Sequence, residues 1–164
     1  MRTAGRIGKA VQEGDTARLK AVVETLDSRS LKEELEVRDP EGRSPLINAA
    51  IDRPAELVGI LISAGADINA HDNQGATALH LAAIHYRPDV IDALIAAGAD
   101  PNKKDTWGNG PLSRAVFNSK GRGDAIRRLI DGGADPDAAN KAGVTARQLA
   151  LKIANFDIKQ YFGH

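Results

Sequence analysis

Cysteine is absent from the 164 residues, which removes disulfides, thiol chemistry and cysteine-ligated zinc together. Aromatic side chains are scarce at 4%, so a core has to be built from Ala, Leu, Ile and Val, a set suited to closely packed helices. An excess of either charge is missing too: 22 Lys and Arg stand against 22 Asp and Glu. Without a basic excess the chain is not expected to bind nucleic acid. No run is long and apolar enough for a membrane span, and Met1 to Ile7 build no apolar h-region. No membrane contact is therefore expected, and the location is read as cytoplasmic. Apolar residues still make up 42% of the chain, enough for one domain with a sizeable core.

What the sequence does have is a period. The phrase Asp39-Pro-Glu-Gly42-Arg-Ser44-Pro45-Leu46 returns as Asp72-Asn-Gln-Gly75-Ala-Thr77-Ala78-Leu79, and again as Asp105-Thr-Trp-Gly108-Asn-Gly110-Pro111-Leu112. Gly42, Gly75 and Gly108 are 33 residues apart, and Gly143 follows after 35. A second phrase keeps the same step: Leu61-Ile62-Ser-Ala-Gly65-Ala-Asp67, Leu94-Ile95-Ala-Ala-Gly98-Ala-Asp100 and Leu129-Ile130-Asp-Gly-Gly133-Ala-Asp135. Two phrases locked to one step mark a repeat architecture.

Each copy spells a helix–turn–helix unit. Ser44-Pro45 sets a capping hydroxyl before a proline whose missing N–H costs nothing at the first helical position. Thr77 and Thr145 repeat the cap. Paired alanines further on let a neighbouring helix come close. Second helices are expected from near Pro54 and Pro88, ending at Gly65, Gly98 and Gly133 in the left-handed conformation. The chain then runs out into a hairpin-like finger that turns at Gly75 or Gly108.

These phrases resemble the ankyrin repeat, with its Thr-Pro-Leu-His helix start and Gly-Ala-Asp-x-Asn exit, over roughly residues 39–154. The resemblance implies an all-α ankyrin-repeat solenoid whose fingers and first helices line a concave face. It also implies that His80, at the repeat's own histidine position, hydrogen-bonds near the turn. The expected organisation of the single domain, 1–164, is a helical cap over 5–38, repeats over 39–71, 72–104 and 105–139, and a C-terminal cap over 140–164.

The ends and irregularities carry further expectations. Ile7, Ala10, Val11, Leu19, Val22, Val23 and Leu26 suggest two amphipathic helices. Ser30 with Glu33 reads as a capping box opening an extra turn, Leu31 to Leu35. Arg147 takes the place of Leu46, Leu79 and Leu112, so that face is expected to meet water. Ile153, Phe156, Ile158, Tyr161 and Phe162 are expected to fold back as a last apolar stripe. Repeat three lacks the capping hydroxyl at Gly110 and holds two extra residues within Asn118–Gly123, read as a mobile, protruding basic turn.

Several features invite chemistry and have plainer accounts. His71, His80, His85 and His164 suggest a metal, yet His80 and His85 are five apart and share no helix face. Asp135-Pro-Asp137 lacks the loop and closing glutamate of an EF-hand. Gly121-Arg-Gly123 is too short for a phosphate loop; its basic surroundings allow weak anion binding, and a bulged loop is the simpler account. No nucleophile, base and orienting acid stand out, so no catalytic residue, metal or cofactor is expected.

The residues the repeat leaves free are the candidate partner-binding set. On the fingers they are Glu41, Arg43, Asn73, Gln74, Trp107 and Asn109; on the first helices, Asn48, Asp52, Leu81, Ile84, His85, Arg114, Phe117 and Asn118. Aromatic and arginine side chains left exposed are typical interface anchors. A non-enzymatic protein-binding module, monomeric when free, is the expected function. Within it, Gly108-Asn-Gly-Pro-Leu, Arg114-Ala-Val-Phe-Asn and Ile153-Ala-Asn-Phe-Asp resemble bacterial ankyrin proteins of the immunity type, which block a toxin in the producing cell. The alternative is a regulatory or scaffold adaptor, such as the inhibitory subunit of a cytosolic enzyme.

Overall fold

The computed structural model describes residues 5–153 and 158–162. Three helices open the chain: α1 (Arg6–Glu13), α2 (Thr16–Thr25) and α3 (Ser28–Leu35). Helix pairs follow in α4 (Pro45–Asp52) with α5 (Ala55–Ser63), α6 (Ala78–Ile84) with α7 (Pro88–Ala96), and α8 (Pro111–Asn118) with α9 (Asp124–Asp131). Helix α10 (Ala146–Lys152) and a 3-10 turn (Lys159–Phe162) finish the described chain. One row stacks α1, α4, α6, α8 and α10 in order, and a second stacks α2, α5, α7 and α9 behind it. Among the described residues no sheet forms; a single bridge, His71 to Thr77, marks a finger. This is the all-α solenoid the period predicts.

The core runs along the stack because each unit buries the same positions. Leu46, Leu79 and Leu112 are at most 3% exposed, and Ala49, Ala50, Ala82, Ala83 and Ala115 are fully buried. The alanines bring α4, α6 and α8 together, while Leu57, Leu61, Leu94, Ile126 and Leu129 close the space behind them. Burying each leucine or isoleucine contributes roughly 1.5–3 kcal/mol, so no single unit can hold its fold alone.

Local chemistry sets the helix ends. Ser44 accepts from the Ile47 N–H at 3.4 Å, and Pro45 and Pro111 start their helices. Thr145 accepts from the Gln148 N–H, whose side chain returns to the Thr145 N–H. Gly110 caps α8 with no side-chain bond. Gly65, Gly98 and Gly133 hold φ near 90° after their helices, as the second phrase implies. The cap of α3 corrects the expectation. Asp27, and not Ser30, accepts from the Arg29 and Ser30 N–H groups, both at 3.0 Å, and the Ser30 hydroxyl donates to the same carboxylate. A carboxylate three residues before Ser30 satisfies two orphan N–H groups at once, so the helix opens earlier.

Repeat three's longer loop protrudes as expected, with Lys120, Gly121 and Arg122 exposed, and it also touches its neighbours. The Arg122 guanidinium lies 4.0 Å from the centre of the Tyr86 ring. Gly123 is buried, and a Cβ there would overlap the Tyr161 ring. Arg127 lies 5.7 Å from the Tyr161 ring centre. Ile158 and Phe162 are buried as expected, whereas Phe156 lies outside the described residues. Arg147 still meets water, its side chain 32% exposed; it donates to the Phe162 carbonyl of the 3-10 turn and, through hydrogen bonds, pairs with Asp137. That pairing holds the Asp137 carboxyl below its usual range.

Candidate protein-binding surface

The fingers are built around one acid each. Asp72 Oδ1 accepts from the N–H groups of Gln74 and Ala76, and Asp105 Oδ1 from those of Trp107 and Asn109. Asn140 does the same for Ala142 and Val144. Gly75 turns the finger at φ 75°, and a Cβ there would press on Thr106 of the next finger at 3.0 Å. Fingers join through their backbones: Asn73 N to Glu41 O, Thr106 N to Gln74 O, and Lys141 N to Trp107 O, at 2.9–3.1 Å. The row of tips is therefore one continuous edge.

The second oxygen of each acid needs its own partner, and this assigns several candidates to bracing. Asn48 donates to Asp39 Oδ2 at 2.9 Å. Arg114 grips the fully buried Asp105 through Nε at 2.8 Å and a second nitrogen. Leu81 stands at the same place in repeat two and cannot donate; the Arg43 guanidinium of the previous finger lies 3.9 Å from Asp72, an ion pair without a hydrogen bond. In the last unit Asn140 replaces the acid and Leu149 the donor, so no cation is required there. Asn109 is equally committed: its side-chain oxygen accepts from Asn140 and its carbonyl receives His80 Nε2.

His80 does what the resemblance implies. Its Nδ1 accepts from the Thr77 N–H at 3.2 Å and lies 2.9 Å from the Thr77 hydroxyl, while Nε2 donates across to Asn109. Burial holds its pKa below the ordinary 6.5. Among the described residues no group of three or more His, Asp or Glu side chains is gathered to hold a metal. No described helix is long and apolar enough to cross a membrane.

Leu81 is only 6% exposed, which corrects its place among the partner-facing candidates. Candidates that do reach solvent are Glu41, Asp52, Asn73, Gln74 and His85, with Ile84 and Asn118 half-buried. Two stand apart as large and apolar: Trp107 is 50% exposed at a fingertip and Phe117 71% exposed on α8. Arg114, already fixed by Asp105, lies under the Trp107 ring at 5.0 Å and presets its position. Sequence reading missed Ser113, Asn140, Val144 and Leu149, which with Asn109, Arg114 and Phe117 line a cavity of about 250 Å³ between repeat three and the last unit. The available signal was Ser113 standing where repeat two has His80 and repeat one Ile47.

A protein with such fingers, paired helices and a stacked row of first helices is a repeat solenoid of the binding kind. The family model for ankyrin repeats (three copies) matches residues 7–105, and the chain belongs to the ankyrin-repeat family. The match begins inside α1, ahead of the first finger. It stops at Asp105, yet α8, α9 and the fingers at Gly108 and Gly143 continue the same geometry. No curated protein matches the chain.

Proposed function

We propose that the chain is a non-enzymatic protein-binding module that takes its partner on the concave face of repeats two and three. The observation that carries this reading is the pairing of Trp107 and Phe117, both large, apolar and exposed on one repeat. Exposed aromatics held rigidly are the residues that dominate interface energies. A solenoid with a continuous finger edge presents a pre-ordered surface, so little ordering entropy opposes association.

Our reading of the partner is a toxin, with the chain serving as a monomeric immunity protein in the cytoplasm of the bacterium that makes it. The likeness of Gly108–Leu112, Arg114–Asn118 and 153–157 to immunity-type ankyrin proteins supports this; Ile153 is described, and the four residues after it lie outside the described part. Co-expression with the product of the neighbouring gene tests it. The expected result is a one-to-one complex and cells that survive that product. Cells dying regardless, or no complex, would remove the toxin reading, and a resident enzyme retained instead would favour a regulatory adaptor.

A further inference from the structure

The cavity between repeat three and the last unit exists for a physical reason. In repeat two, His80 fills the space between its helix and the next finger and reaches Asn109 O. In repeat three, Ser113 holds the same place and Val144 stands where Asn109 stood. A serine is too short to span that gap, and about 250 Å³ stays open. This is smaller than the roughly 300–1,000 Å³ usual for small-molecule sites and suits one bulky side chain. Phe117, Val144 and Leu149 supply apolar walls.

Cations outnumber carboxylates around it. Residues 106–118 and 138–153 contain no Asp or Glu, while Arg114, Lys141, Arg147 and Lys152 lie within them. Lys152 is in register with Phe117 and Ile84 along the stack, Lys141 sits on the adjoining finger, and both are exposed. Of the two flanking carboxylates, Asp105 is buried against Arg114 and Asp137 is paired with Arg147, which leaves Lys141 and Lys152 as the exposed cations of these segments. The neutral total hides a polarity along the solenoid. Residues 101–164 hold eleven Lys and Arg against six Asp and Glu, and residues 1–100 hold eleven against sixteen.

We propose that this socket receives a bulky apolar side chain from an acidic segment of the partner protein, whose carboxylates face Lys141 and Lys152. The proposal rests on the chain being a protein-binding module and adds what the bound segment is made of. Opposite charge steers such a segment to this end of the groove and away from the acidic half.

The test titrates the whole chain with three synthetic peptides: a central Phe among Glu and Asp, the same Phe among Lys, and an acidic peptide with Ala at the centre. Trp107 emission and backbone amide shifts report binding. The acidic Phe peptide should shift Ser113, Val144 and Leu149 and bind about tenfold more tightly than the other two. Ser113→His, which refills the gap as His80 does in repeat two, should remove about tenfold of that affinity with an unchanged circular dichroism spectrum. Lys141→Glu with Lys152→Glu, two exposed sites, should invert the preference between acidic and basic peptides. Equal binding of the Lys or Ala peptide, shifts elsewhere, no binding by any peptide, or tighter binding of a single-stranded oligonucleotide would each overturn the proposal. A natural partner held on the concave face through a basic segment would overturn it too, while leaving the protein-binding function in place.

Discussion

His80 Nε2 donates to the Asn109 carbonyl at 3.0 Å, tying the first turn of α6 to the finger of the next repeat. One ring thus caps its own helix and fastens two units, and it must be neutral at Nδ1 to accept from the Thr77 N–H. Its depressed pKa follows from burial.

That assignment predicts a pH dependence. Between the lowered folded pKa and the ordinary 6.5, the unfolded chain binds the proton and the folded chain does not, so stability falls with pH as it drops through this window. The loss begins near pH 6.5, well above the carboxylate range. Urea unfolding at pH 7 and pH 5 should show it, and His80→Gln should show less of it. An identical pH slope in that variant would contradict the role.

Leu79 is fully buried between units. Leu79→Ala should cost about 2–5 kcal/mol through the cavity it leaves, read from chemical denaturation. A cost under about 1 kcal/mol would mean that the stack does not depend on this position.

Arg114 and Trp107 touch, yet they should respond differently. Arg114→Ala strands a fully buried carboxylate and should destabilise by about 3–5 kcal/mol, which makes it unsuitable as a binding probe. Trp107→Ala and Phe117→Ala remove exposed side chains and should change stability by under about 0.5 kcal/mol. Thermal melts of the three variants check this ordering.

Gly123 faces the Tyr161 ring with no room for a Cβ. Gly123→Ala should release the 3-10 turn from the repeat-three loop and raise amide exchange over residues 158–162, leaving exchange in α4 and α6 unchanged. Unaltered exchange in the turn would show that the glycine is not what seats it.

How much of this was legible in the sequence depends on what kind of signal each residue sends. Gly42, Gly75 and Gly108 and the buried leucines repeat at a fixed step, so the fold followed from them. Polar positions were harder, because the pattern shows where a side chain departs from the repeat without showing what it bonds. Asn48, Arg43 and Arg114 look free along the chain, but each serves a finger acid, two from their own repeat and one from across a boundary. Leu81 departs from the repeat's neighbouring copies in the same way, yet it is buried. The Tyr86–Arg122 contact joins different repeats through an irregular loop that no period encodes. The socket came from an omission, Ser113, which is visible only once His80's reach is known.

The most direct measurement is the affinity of a captured partner for Trp107→Ala/Phe117→Ala, by titration calorimetry, beside Asp131→Ala on the outer helix α9. A concave-face interface predicts a loss of about 2–4 kcal/mol for the double variant and none for Asp131→Ala. Equal affinity of the double variant and the parent chain would contradict the account.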